Sequence, residues 1–123
     1  MMIGRAVTIG VVIGALALGT AIAANIQGAG ASTCTEFFKD IADPNFKSGE
    51  AFYASWALGY VSRKNMEREA SGRTPIKLMV GSVDYPAQLA FLRNWCSAHP
   101  NSLYQEAAQA LWEYLVQMNG ATV

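Results

Sequence analysis

From residue 33 onward the apolar positions recur in steps of three and four, the mark of helices with one buried face. Cys34, Phe37, Phe38 and Ile41 fall at i, i+3, i+4 and i+7. In front of them Thr33-Cys34-Thr35-Glu36 has the capping-box form that satisfies the orphan amides of a first turn. Asp43-Pro44-Asn45 ends this helix. A second helix starts near Ser48. Its stretch AFYASWALGYV, residues 51–61, is apolar on nearly every face, so most of it is expected to be buried. Phe52, Trp56 and Tyr60 share a side, and Gly59 beside them leaves room for another helix to approach. The continuation RKNMEREASGR is charged. Its i, i+4 pairs, Arg63–Glu67 and Glu69–Arg73, are worth about 0.2–0.5 kcal/mol each. This part reads as a solvated helix end in preference to a binding patch, with Gly72 as a natural stop.

Residues 73–83, RTPIKLMVGSV, admit three readings: a short strand, a helical turn or a packed loop. If mobile, this segment is a candidate for partner binding. A third helix begins at Asp84-Tyr85-Pro86, with Asp84 or Tyr85 as cap and Pro86 tolerated in the first turn. Tyr85, Leu89, Leu92 and Cys96 form its stripe, and His99-Pro100 stops it. Asn101 or Ser102 is expected to cap a fourth helix whose stripe is Leu103, Ala107, Leu111, Tyr114, Leu115 and Met118, ended by Gly120. The pattern predicts an all-α fold, a compact bundle of about four helices. Phe37, Phe38, Trp56, Tyr60, Leu92, Trp95 and Leu111 are its candidate core or partner-binding residues.

The pattern changes upstream. Arg5 is the only charge before Glu36, and it precedes an apolar run ending in Ala21-Ile22-Ala23, a small-x-small cleavage signature. A second such signature, Ala29-Gly30-Ala31, follows. Residues 1–23 therefore read as a signal peptide, cut after Ala23 or Ala31, with 24–32 as a flexible mature N-terminus and 33–119 as a single domain. The competing reading is an uncleaved membrane anchor, since the run approaches the length that spans a bilayer. Export would deliver the mature chain to an oxidising compartment outside the cytoplasm.

Charge excludes some partners. Without Arg5, 8 basic residues face 9 acidic ones, and the signs are interspersed. No basic face is available for nucleic acid or for a membrane beyond the signal segment. The two cysteines, 62 residues apart, read as a Cys34–Cys96 disulfide formed in an oxidising compartment. Both sit on apolar stripes of different helices, as a staple between helices requires. Cys34, Cys96 and His99 fall short of a zinc ligand set, and a Cys96–His99 nucleophile pair is disfavoured by Pro100. With one histidine, no glycine-rich phosphate loop and no paired carboxylates facing a cleft, the chain offers no catalytic, cofactor or metal site. His99 is expected to bond the last carbonyls of its helix. The residues point away from an enzyme and offer no place for a cofactor.

Thr33-Cys34-x-Glu36-Phe37-Phe38, Trp56 on the next helix, and Leu92-x-x-Trp95-Cys96-x-x-x-Pro100 followed by Leu103-Tyr104 together resemble the small periplasmic HdeA/HdeB family over residues 33–115. The Cys–Cys interval is longer than in the compact acid chaperones of that family, with extra sequence around residues 63–83. The resemblance implies an all-α domain with one disulfide, a homodimer at neutral pH, and an acid-activated chaperone that binds unfolding periplasmic clients. Leu58-Gly59-Tyr60-Val61, the Gln88-Leu89 helix with His99-Pro100 and the Ala-rich last helix also resemble periplasmic immunity proteins. Those neutralise secreted peptidoglycan-cleaving effectors, which implies an inhibitor that binds such an enzyme.

Overall fold

The computed structural model describes residues 26–123. The segment 1–23, expected to be a signal peptide, lies outside them. A short 3-10 turn, Gly28–Ala31, leads into α1 (Cys34–Ala42), α2 (Gly49–Ala70), α3 (Tyr85–Ala98) and α4 (Tyr104–Met118). Among the described residues β-structure is limited to two isolated bridges, Thr33 with Leu103 and Val80 with Val83. The fold is the all-α bundle of four helices that the periodicity predicts.

Cys34 and Cys96 are joined, with their Cα atoms 5.0 Å apart and both residues fully buried. The disulfide ties the first turn of α1 to the last turn of α3 across a 62-residue separation. In the chain-entropy account, closing such a loop contributes about 4 kcal/mol by restricting the unfolded chain. Backbone bonds beside it close the same corner: Cys34 N–H donates to Ser102 O at 2.8 Å, and Tyr104 N–H donates to Ser32 O at 2.8 Å.

That corner moves a helix cap. Asn101 or Ser102 is expected to cap the last helix, but the N-cap residue is Leu103. The Ser102 carbonyl and the Tyr104 amide are both engaged by the start of α1, which holds residue 103 in extended backbone. Leucine has no side-chain acceptor, so the turn is fastened by Glu106, which accepts from Leu103 N–H at 2.8 Å. The other starts follow the pattern. Thr33 and Glu36 form both halves of the capping box on α1, and Asp84 accepts from Ala87 N–H at 3.0 Å on α3.

α4 is the core helix, buried along Tyr104, Ala107, Ala108, Leu111, Trp112, Leu115 and Val116. Trp112 and Val116 join the stripe, whereas Met118, expected inside, is 44% exposed. α2 is buried along Tyr53, Ala54, Ala57 and Val61. Deep burial of all of 51–61 is therefore not observed, and Phe52 is 50% exposed. The small side chains of Ala54 and Ala57 let α2 lie close to its neighbours, and one face is all that such a contact can cover. Gly59 lies outside that face and receives no helix, with nothing within 4 Å of where its Cβ would be.

Residues 73–83 form a packed loop. Ile76 and Val83 are buried, and three side-chain amides replace a strand partner. Asn65 donates to Ile76 O at 3.0 Å and accepts from Ile76 N–H at 2.8 Å. Asn119 grips Lys77 in the same two-way manner, both bonds at 3.0 Å. Gln88, only 2% exposed, donates to Leu78 O at 2.7 Å and Val83 O at 3.2 Å. The third-helix stripe shifts accordingly: Gln88 takes an inward place, and Tyr85 is 38% exposed. The Glu69–Arg73 pair does not form. α2 ends at Ala70, Gly72 turns the chain at φ +85°, and Arg73 donates instead to Thr122 O and Oγ1 at 2.6 and 2.8 Å.

Residues 24–32 are expected to be flexible, yet the described part of them is packed. Ala29 and Gly30 are buried between α2 and α4. The reason is a fit to Trp56, described next.

Candidate binding groove

Trp56, Tyr60, Arg63 and Glu67 stand at i, i+4, i+7 and i+11 along α2. They share a side of the helix flanking the buried face. Trp56 and Tyr60 stack, with ring centroids 5.7 Å apart and planes 19° from parallel. Both rings are fixed from several directions. Trp56 Nε1–H donates to Gln27 O at 3.1 Å, and the edge of the indole lies over Gly30. A Cβ on Gly30 would sit 2.1 Å from Trp56 Cζ2, so only glycine permits this approach. The Tyr60 hydroxyl donates to Gln109 Oε1 and accepts from Gln105 Nε2 at 3.1 Å. Burial is the main cause that raises the Tyr60 pKa above its ordinary value of 10.0.

Around this pair opens a groove of about 570 Å³. Ile26 and Gln27 wall it from the N-terminal strap, Trp56, Tyr60, Arg63, Lys64 and Glu67 from α2, and Gln105 from α4. Glu67 faces both cations, at 3.1 Å from Arg63 and 4.0 Å from Lys64. Such exposed pairs are worth about 0–1 kcal/mol and break readily for a ligand. A second hollow, lined by Ser55, Gly59 and Arg63, lies against the same two rings. The groove thus offers an aromatic ledge, amides and both signs of charge. That set suits recognition of an extended, mixed-polarity segment of a partner.

The sequence-derived candidates divide by position. Phe37, Leu92 and Leu111 are wholly inside. Phe37 meets Phe38, Tyr53 and Tyr104 with ring centroids 4.9–5.1 Å apart. Phe38 is half-buried against this cluster. Trp95 lies elsewhere, stacked on His99 at 4.0 Å. His99 Nδ1 donates to Trp95 O at 2.7 Å, the helix-end carbonyl contact expected of it. Only Trp56 and Tyr60 meet in the groove. Its polar members, Gln27, Arg63, Lys64, Glu67 and Gln105, were not among the candidates, because 63–73 reads as a solvated helix end. The i, i+4, i+7, i+11 spacing from Trp56 was the available signal.

A separate apolar spot joins Phe46 and Phe52, 37% and 50% exposed, with ring centroids 5.8 Å apart. Both cysteines are committed to the disulfide. Among the described residues no helix is long and apolar enough to cross a membrane, and no group of three or more His, Cys, Asp or Glu side chains is placed to hold a metal ion. Comparison of the chain with protein-family models, curated proteins and solved structures returned no match.

Proposed function

We propose that this chain is a non-enzymatic, HdeA/HdeB-like protein of the periplasm that binds unfolding proteins under acid stress. The observation that carries the reading is a contrast between two kinds of fastening. Three of the four helices begin on a carboxylate, Glu36 on Thr33 N–H, Asp84 on Ala87 N–H and Glu106 on Leu103 N–H, and Glu50 in the first turn of α2 pairs with Arg93 on α3. Asp40 adds a link from α1 to α2, accepting from the Tyr53 hydroxyl at 2.6 Å. The disulfide does not depend on pH.

Ordinary carboxylates are neutral below about pH 3. Neutral carboxyls lose the charge assistance that makes such bonds about twice as strong as neutral ones. At the same time the exported chain would carry roughly ten positive charges from Lys, Arg, His99 and the amino terminus, and self-repulsion loosens a compact fold. Acid therefore weakens three helix starts and the Glu50 and Asp40 links of α2, while the staple keeps α1 and α3 joined. The Phe37–Tyr53–Tyr104 cluster then becomes available to a client. The test is light scattering from an aggregating client at pH 2–3. Suppression of scattering by the disulfide form supports the reading, and unchanged scattering ends it.

The groove favours a second reading, because it is open in the folded chain and needs no loosening by acid. An immunity or inhibitor protein would use it to hold a secreted cell-wall-degrading enzyme. Inhibition of such an enzyme at pH 7, lost in Trp56→Ala, would establish that reading over the first.

A further inference from the structure

Two small-x-small signatures, ending at Ala23 and at Ala31, offer the same side chains to a leader peptidase. The folded chain distinguishes them. The second falls inside the turn Gly28–Ala31, which is built to its neighbours. Gly30 accepts the indole of Trp56 at a distance that no other residue allows. The Gln27 carbonyl takes the indole N–H. Ile26 and Gln27 wall the groove. A discarded leader has no need to complement the mature core, and this segment complements it atom for atom.

We infer that the processing cut falls after Ala23, and that residues 26–31 stay with the mature chain as a strap that orients Trp56 and walls the groove. This rests on the export that the proposed function assumes. In the cut, water adds across the Ala23–Ala24 peptide bond. Ala23 leaves with a carboxylate on the released segment, Ala24 gains a free amino group, and no other bond changes.

The test expresses the full chain with its own leader in a Gram-negative host and reads the N-terminus by intact mass and sequencing. A chain starting at Ala24 supports the inference. A chain starting at Ser32 overturns it and leaves export standing, whereas an uncut chain overturns export itself. Two full-length variants make the reading independent of yield, since a large charged residue at the cut blocks the peptidase. Ala23→Arg is expected to accumulate about tenfold more precursor than the parent, and Ala31→Arg, at an exposed position, to be processed as the parent is. Normal processing of Ala23→Arg, or a block by Ala31→Arg, overturns the inference.

Discussion

Gly30→Ala tests the strap directly. A methyl group there would lie 2.1, 2.2 and 2.8 Å from three atoms of the Trp56 ring. Ordinary carbon contacts are about 3.5–4.0 Å, so the ring or the turn must retreat by more than about 1 Å. Neither retreats freely. The ring is held by its bond to Gln27 O, by the stack on Tyr60 and by Tyr104 behind it. Overpacking of this kind costs about 1–3 kcal/mol, and breaking the indole bond adds about 0.5–1.5 kcal/mol. Alanine returns about 0.4–1 kcal/mol by restricting the unfolded chain. The expected net loss is about 1–3 kcal/mol, read as a lower urea midpoint at unchanged m by far-UV circular dichroism. A double-mutant cycle isolates the cause. In a Trp56→Leu background the glycine's penalty should shrink below about 0.5 kcal/mol, because the clashing ring is gone. Full stability in Gly30→Ala, or an equal loss in both backgrounds, would refute the fit of strap to indole.

Three further outcomes follow from the same contacts. Replacing Cys34 and Cys96 together by serine should lower unfolding free energy by about 4 kcal/mol, measured by denaturant titration; a loss below about 1 kcal/mol would show that the staple adds little to the corner's hydrogen bonds. Gln88→Leu, which keeps most of the volume but strands the Leu78 and Val83 carbonyls, should cost about 1–3 kcal/mol and speed amide exchange in residues 76–83, and unchanged exchange there would contradict the amide clamp. In base, burial and the bond to Asp40 push the Tyr53 pKa from 10.0 up to about 12, and burial also pushes up that of Tyr104. The fold keeps these hydroxyls protonated more firmly than the unfolded chain does. The contribution of Tyr53 is therefore complete below pH 10.0 and is lost as pH rises through about 12, and that of Tyr104 persists further into base. Unfolding midpoints should fall across that window, and Tyr53→Phe should flatten the fall.

The sequence by itself determined the four helices, the capping box on α1, a start of α3 at Asp84 or Tyr85, between which the structure chose Asp84, and the partnership of Cys34 with Cys96. Each is a local or pairwise matter. Helical periodicity reports a buried face, a cap needs side chains within three residues, and two cysteines on two apolar stripes leave one partner each. What the tertiary structure decided depends on which surfaces meet. The apolar run of 51–61 shows no single stripe, and only packing against α4 and the strap selects Tyr53, Ala57 and Val61 while leaving Phe52 outside. Gln88 reads as a polar break in a stripe until a loop ten residues away brings carbonyls to it. Leu103 became a cap because the start of α1 had already taken the groups on either side of it. The groove needs three separate segments, residues 26–27, α2 and α4, and only its two aromatic members announced themselves in advance. Gly30, Gln88 and Gln105 carry no pattern of their own, so their roles exist only where the folded chain puts a ring, a carbonyl or a hydroxyl beside them.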